Sequence, residues 1–278
     1  MVISGNTIAR ELKAKLRERV SGIHVELSLG IIVVKETPAI RQFIAFKERF
    51  GKDISIDVEL IHLPALEQTD EKLLQLLLHS TRAHQGLILQ LPIPPRFSLE
   101  NVFSLYPMSH DVDVLGNTAY QQFKEGRLPF LPPVVGAIRE VLHRNSIRLL
   151  GKNVVVVGEG RLVGAPASVW AQQERANVTI VNKETENITA YTKEADVIIT
   201  GTGNPGLIKP DMIKEGVILL DAGSGEMAGV LMGDVDPLCA EKASIFTPTP
   251  GGLGPITVAK VFENFLDLYE LKNKQKPF

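Results

Sequence analysis

The chain has 278 residues, 44% of them hydrophobic, and a formal net charge of −2 from 30 basic and 32 acidic residues. That length suits two compact units with substantial cores, and the even charge balance gives no electrostatic basis for binding nucleic acid or an anionic membrane. A single cysteine, Cys239, excludes an intramolecular disulfide and a cysteine-rich metal site, which fits a reducing compartment. No apolar stretch approaches the ~20 residues of a membrane span, and the N-terminus reads as an amphipathic helix without the apolar core of a signal. A cytoplasmic protein without a metal is expected.

In chain order, the spacing predicts a helix over about Thr7–Val20 and a buried β-branched strand over Leu27–Val34. Thr37 and Pro38 read as the N-cap and first position of a second helix, with Gly51 as its stop. A strand follows from about Ser55 to His62, then a leucine-rich helix over Asp70–Arg82 and an apolar strand over Gly86–Gln90. Strands alternating with helices imply right-handed crossovers and a parallel sheet. The proline-rich stretch Leu128–Gly136 marks a junction between domains, and a helix over Ala137–Asn145 leads on from it. Strands are predicted at Lys152–Val157, Val178–Val181, Val197–Thr200 and Val217–Leu220, the repeat of a doubly wound nucleotide-binding unit. An amphipathic helix over Thr257–Leu271 closes the chain.

In VVVVGEGRLVGAPAS, Gly158, Gly160 and Gly164 stand between a buried strand and a helix. Glycines let the main chain approach a pyrophosphate, and the helix N-terminus supplies N–H donors. The spacing is one residue longer than the common dinucleotide fingerprint, and a tight strand-to-helix turn without a ligand is the alternative. After the next strand come Asn182, Lys183 and Glu184. Lys183 with Arg161 favours a 2′-phosphate and hence NADP, while Glu184 keeps NAD open. A second glycine loop, Thr200–Gly203, supports a crevice at the same sheet edge.

In TPAIRQFIAFKERFG, Phe43 and Lys47 share a helical face with Ile40 and Ile44. An amine among apolar neighbours loses solvation and becomes a usable base; a lysine that snorkels to water is the commoner outcome. Gln90 leaves the end of a buried strand in LILQLPIP, where a polar side chain can line a cleft. Asp111 and Asp113 stand in a turn, on alternate sides if it is extended, and either can accept hydrogen bonds from a heterocycle. Turn capping is their alternative role. TPTPGGLGPIT, from Thr247 to Thr257, is a constrained loop before the last helix, fit for close approach or for a hinge.

Together these segments resemble the bifunctional methylenetetrahydrofolate dehydrogenase/cyclohydrolase family. The resemblance runs from GNTIARELK through PAIRQFIAFK, LILQLPIP, DVDVLG, VVVVGEGRLVGAP, ADVIITGTGNPGLI and IKEGVILLDAG to TPTPGGLGPITVAKVFEN. It implies two α/β domains. The first, residues 1–125 completed by the C-terminal helix 257–278, would bind folate and catalyse. The second, residues 126–256, would be a Rossmann-type NAD(P)-binding domain. It further implies oxidation of 5,10-methylenetetrahydrofolate with NADP, hydrolysis of the methenyl product to 10-formyltetrahydrofolate, and a homodimer. Lys47, Gln90 and Asp113 match the family's catalytic positions; Phe43, Pro250, Gly251 and Gly252 match positions that border the folate. Gly158, Glu159, Gly160 and Ser224 fall on dinucleotide-contacting positions, with Arg161 and Lys183 beside them.

The chain also departs from the family pattern. Phe43 stands where a tyrosine is usual, Ile40 replaces a serine, Val114 replaces the glycine after DVD, and Gly160 replaces a serine. The junction motif LPPVV lacks the family's threonine. These changes leave open a dehydrogenase-biased enzyme or a non-catalytic folate- or dinucleotide-binding paralogue.

Overall fold

The computed structural model describes residues 1–64, 69–227 and 229–274. The chain divides into two compact units. One comprises Glu11–Pro133 with the residues from Val258 onward; the other comprises Met1–Arg10 with Val134–Thr257.

In the first unit α1 (Gly5–Ser21, whose opening turn belongs to the other unit) leads into β1 (Ser28–Val33), α2 (Pro38–Asp53), β2 (Asp57–His62), α3 (Asp70–Ser80) and β3 (Gly86–Leu89). Two short helices follow, α4 (Leu99–Ser104) and α5 (Asn117–Lys124). Among the described residues the strands form a parallel sheet in the order β2-β1-β3, with Ile31 opposite both Leu60 and Ile88. Leu73 and Leu77, four apart on α3, are fully buried in one cluster with Ile32, Leu87 and Leu89. Thr37 caps α2, its hydroxyl accepting from the Ile40 N–H at 3.2 Å.

Two expectations here need correction. Helix α2 does not stop at Gly51 but runs to Asp53. Gly51 is there because a Cβ would lie 2.5 Å from Val58 Cγ2 and 2.8 Å from the Ile56 carbonyl oxygen, so it permits close packing. The following strand starts at Asp57, not Ser55, because Ser55 turns the chain with φ of 61°.

The second unit contains α6 (Pro133–Arg144), β4 (Asn153–Val157), α7 (Gly164–Gln173), β5 (Asn177–Val181), α8 (Ile188–Thr192), β6 (Val197–Thr200) and β7 (Ile218–Asp221). The hairpin strands β8 (Gly225–Met227) and β9 (Val230–Met232) precede β10 (Ile245–Thr247). The parallel sheet has the order β10-β7-β6-β4-β5. Strands β8, β9 and β10 are three residues each, too short to show a periodic pattern in sequence. Residues 1–10 group with this unit because the first residues extend its sheet. The Phe246 N–H donates to the Met1 carbonyl at 2.9 Å, and the Ile3 N–H donates to the Phe246 carbonyl at 2.8 Å.

The last helix, α9 (Leu253–Lys274), starts four residues before its expected position and enters the first unit after Thr257. There Phe262 stacks on Phe50 with ring centroids 5.1 Å apart. Phe265 fills the space left by Gly86, where a Cβ would come within 2.6 Å of its ring. The Asn264 amide donates to the carbonyls of Val112 at 2.9 Å and Leu131 at 2.8 Å. Among the described residues no helix is long and apolar enough to cross a membrane, and no group of three or more metal-ligating side chains forms.

Asn264 is 3% exposed, so its two acceptors depend on it for satisfaction. Replacing Asn264 by Ala is expected to lower unfolding free energy by roughly 2–4 kcal/mol, measured by urea denaturation.

Candidate active site

Lys47 extends from α2 one turn after Phe43. Ile40 and Ile44 on its inward face are buried, whereas Phe46 is 48% exposed, so the helix is anchored on one side and open on the other. The Lys47 amine donates to Gln90 Oε1 at 2.9 Å. Gln90 is the first residue beyond β3, and its own N–H2 donates to the Leu91 carbonyl at 2.8 Å, which aims its oxygen at the lysine. Burial holds the Lys47 amine below its ordinary value of 10.5, with the negative charge of Asp113 pulling the other way. Burial likewise raises Asp113, opposed by Lys47. The lysine, glutamine and aspartate that the sequence singled out therefore come together.

The two aspartates of the DVD turn part company. Asp111 is fully buried and caps the turn, its carboxylate accepting from Leu115 N–H at 2.9 Å and Gly116 N–H at 2.7 Å. Asp113 is the one whose charge meets Lys47. Between the turn and its cap lies Val114, buried with φ of 58°. A β-branched residue in this left-handed region costs on the order of 1–3 kcal/mol, which is where a glycine would be at ease. Tyr106, not marked by any motif, is buried beside both aspartates and donates its hydroxyl to the Leu87 carbonyl at 3.0 Å. Burial, reinforced by the Asp111 and Asp113 charges, raises its pKa well above the ordinary tyrosine value, so it remains a donor.

In the second unit the glycine loop follows β4. Gly158 is buried with φ of 105°, and its N–H donates to the Val181 carbonyl at 2.8 Å. A Cβ on Gly164 would lie 2.0 Å from the Gly158 carbonyl oxygen, so the first turn of α7 closes directly on the loop. Glu159 and Gly160 are exposed and Arg161 is part-buried. Beyond β5, Glu184 N–H donates to Asn182 Oδ1 at 2.9 Å, a tight turn that leaves Lys183 exposed. Ser224 is exposed in the loop after β7. Gly251, with φ of 98°, and the buried Gly252 follow the exposed Pro250; the Gly251 carbonyl accepts from Gly5 N–H at 2.8 Å.

Sequence reasoning passed over two buried carboxylates at this sheet edge. Asp221 ends β7 and accepts from the Thr200 hydroxyl at 2.9 Å and from the N–H groups of Gly223 (3.0 Å), Asp234 (3.2 Å) and Val235 (3.2 Å). Asp234 accepts from the N–H groups of Thr202 at 2.6 Å and Asn204 at 2.9 Å. Their only trace in the sequence is a glycine close by each, Gly223 and Gly233. Burial, partly offset by the Thr200 hydroxyl, pushes Asp221 up from 3.8 to about 6. A carboxyl raised on folding adds stability below its unfolded value and loses it as pH rises through the folded one. Stability contributed by Asp221 is thus expected to fall by on the order of 3 kcal/mol between about pH 4 and 6. The difference in pH dependence between the native chain and Asp221→Asn, read by urea midpoints, checks this.

Known proteins resemble this chain in sequence and fold. Residues 3–113 match the model of the tetrahydrofolate dehydrogenase/cyclohydrolase catalytic domain, and residues 132–273 match that of the NAD(P)-binding domain of the same family. The bifunctional protein FolD of Lactobacillus delbrueckii subsp. bulgaricus is 33% identical over 274 residues, covering 96% of each chain. The crystal structure of the bifunctional FolD dehydrogenase/cyclohydrolase from Campylobacter jejuni superposes with a TM-score of 0.91 at 28% identity, covering 98% of this chain and 99% of that one. The Trypanosoma brucei FolD structure, complexed with NADP and an inhibitor, gives 0.92 at 26% identity, covering 99% and 98%. With one family model spanning more than half its length and a relative one-third identical almost end to end, the chain belongs to the tetrahydrofolate dehydrogenase/cyclohydrolase family.

Proposed function

We propose that the protein oxidises 5,10-methylenetetrahydrofolate with NADP and hydrolyses the methenyl product to 10-formyltetrahydrofolate, with Lys47, Gln90 and Asp113 as the catalytic set. The observation that carries this reading is the Lys47–Gln90 hydrogen bond of 2.9 Å beside a raised Asp113. Hydrolysis adds water to a cationic carbon: the attacking water loses one proton, and collapse of the adduct moves its hydroxyl proton to the departing ring nitrogen, so one proton is released overall. An amine with a lowered pKa can take the first and relay the second. Gln90 keeps the amine directed, and Asp113 moderates how far burial depresses it. Phe43 offers a ring face for a flat heterocycle, and Pro250, Gly251 and Gly252 would border the folate through close main-chain approach.

The residues of the second unit fit a dinucleotide. The left-handed Gly158 and the Cβ-free contact of Gly164 with it leave main chain where side chains would otherwise stand. Gly158, Glu159, Gly160, Arg161 and Ser224 would hold it, and Lys183 with Arg161 supports NADP over NAD; Glu184 is the reason to test both. When bound, NADP supplies the two-electron oxidising capacity of the first reaction. The chain's part in that reaction is alignment of the two reacting carbons. We further propose a cytoplasmic homodimer acting on small molecules, in keeping with the single buried cysteine and the near-neutral charge.

The second reading is a dehydrogenase-biased enzyme, favoured by Phe43. It places ring carbon, not a hydroxyl, one turn from the amine that manages protons. A non-catalytic binding paralogue is the third.

Assays of methenyltetrahydrofolate hydrolysis and of NADP- and NAD-dependent methylenetetrahydrofolate oxidation test all three. Lys47→Ala is expected to reduce hydrolysis by about 10²–10⁴-fold. Ligand binding with no turnover in the native chain would establish the paralogue instead. Phe43→Tyr is expected to raise hydrolysis about threefold or more, on the order of 0.7 kcal/mol in the barrier, while leaving oxidation nearly constant. Equal effects on both reactions would remove the case for bias.

A further inference from the structure

Asp221 and Asp234 are joined by a reciprocal fit. A Cβ on Gly223, two residues after Asp221, would lie 2.0 Å from Asp234 Cγ. A Cβ on Gly233, one residue before Asp234, would lie 1.9 Å from Asp221 Oδ2. Each carboxylate therefore occupies the space that only a glycine beside the other aspartate leaves vacant. Both aspartates are fully buried, and main-chain or threonine donors satisfy them. Burying two carboxylates this close together is costly, and the donors they engage belong to loops at the C-terminal ends of β6 and β7 and to the chain after β9.

Those loops reach the proposed dinucleotide residues. Asp234 holds the Thr202 and Asn204 N–H groups. The loop they belong to lies against the glycine turn: a Cβ on Gly158 would meet the Gly201 carbonyl oxygen and Thr202 Cγ2, each at 3.1 Å, and one on Gly201 would overlap Val163 at 2.3 Å. On its other side, a Cβ on Gly203 would meet the Ser224 carbonyl oxygen at 3.4 Å. Asp221 fixes the start of the Ser224 loop through Gly223 N–H.

We propose that Asp221 and Asp234 are positioning residues for the dinucleotide, a buried pair that sets the Gly201–Asn204 and Ala222–Gly225 loops against Gly158. The proposal rests on the reading that NADP binds at Gly158–Gly160 and Ser224. The two carboxylates engage these loops and the chain after β9, and neither Lys47 nor Gln90 is among their hydrogen-bond partners. Removal of the pair should therefore weaken NADP use while sparing hydrolysis, whose stoichiometry involves no dinucleotide.

The test compares Asp221→Asn, Asp234→Asn and the milder Thr200→Val, which deletes one donor to Asp221 while keeping shape. Each is assayed for oxidation over a range of NADP, and for hydrolysis without NADP. Amide hydrogen exchange is followed at Thr202, Asn204, Gly223 and Asp234. The aspartate variants are expected to raise KM for NADP about tenfold or more, and Thr200→Val about threefold. Hydrolysis should stay within about twofold of the native rate, with faster exchange at the four amides. Should an aspartate variant fail to fold, Thr200→Val decides by the same readouts. Native KM for NADP in the folded variants overturns the proposal, as does an equal loss of both activities. If the native chain uses no dinucleotide while the variants still free these amides, the NADP reading fails and the buried lock stands.

Discussion

A parallel sheet covered on both faces has room for polar chemistry only where its strands end. The buried strands β1, β3, β4, β6 and β7 obey this constraint, whereas β2 and β5 are part-exposed along their length. In the first unit, Gln90 is the residue immediately beyond β3, and its oxygen meets the Lys47 amine. In the second, Thr200 and Asp221 are the last residues of β6 and β7, and Gly158 follows the last residue of β4. The apolar strand interiors need no further explanation than burial. The functional proposals concern the handful of residues where burial gives way to hydrogen bonding.

At the end of the first sheet, opposed effects balance. Burial weakens the charged form of Lys47 and of Asp113, while each charge supports the other. Both side chains are part-buried, so each charge offsets a share of the desolvation that the other meets. Asp111 contributes differently. By capping Leu115 and Gly116 it fixes the turn that delivers Asp113, and the strained Val114 shows how firmly that turn is imposed. Burial of the Val114 side chain holds it in this left-handed conformation.

At the end of the second sheet, carboxylates organise main chain. Asp221 and Asp234 engage N–H groups that no regular element uses, which lets several loops share one arrangement. Gly223 and Gly233 have no catalytic chemistry of their own. Their contribution is the space that their missing side chains leave for the opposite carboxylate.

The sequence alone determined the α/β class, the strands with apolar cores and the helices between them, because periodicity and length report burial directly. It also singled out Gln90 and the Gly158 loop, since a polar or glycine residue at the end of an apolar run is locally conspicuous, and it marked Lys47 through the face shared with Ile40 and Ile44 together with the family resemblance. It did not reveal β10 or the β8–β9 hairpin, whose three-residue strands carry no period. Spacing by itself left Asp111 and Asp113 equivalent, with only the family resemblance pointing to Asp113, and it did not say why Gly51 sits inside a helix. Asp113 facing Lys47 depends on a partner distant in the chain, as the Asp221–Gly233 and Asp234–Gly223 contacts do, whereas Asp111 caps its own turn and Gly51 packs on the Ile56 and Val58 that follow it. Only the tertiary structure decides these contacts, because a buried polar group takes its role from the donors and acceptors that folding brings to it.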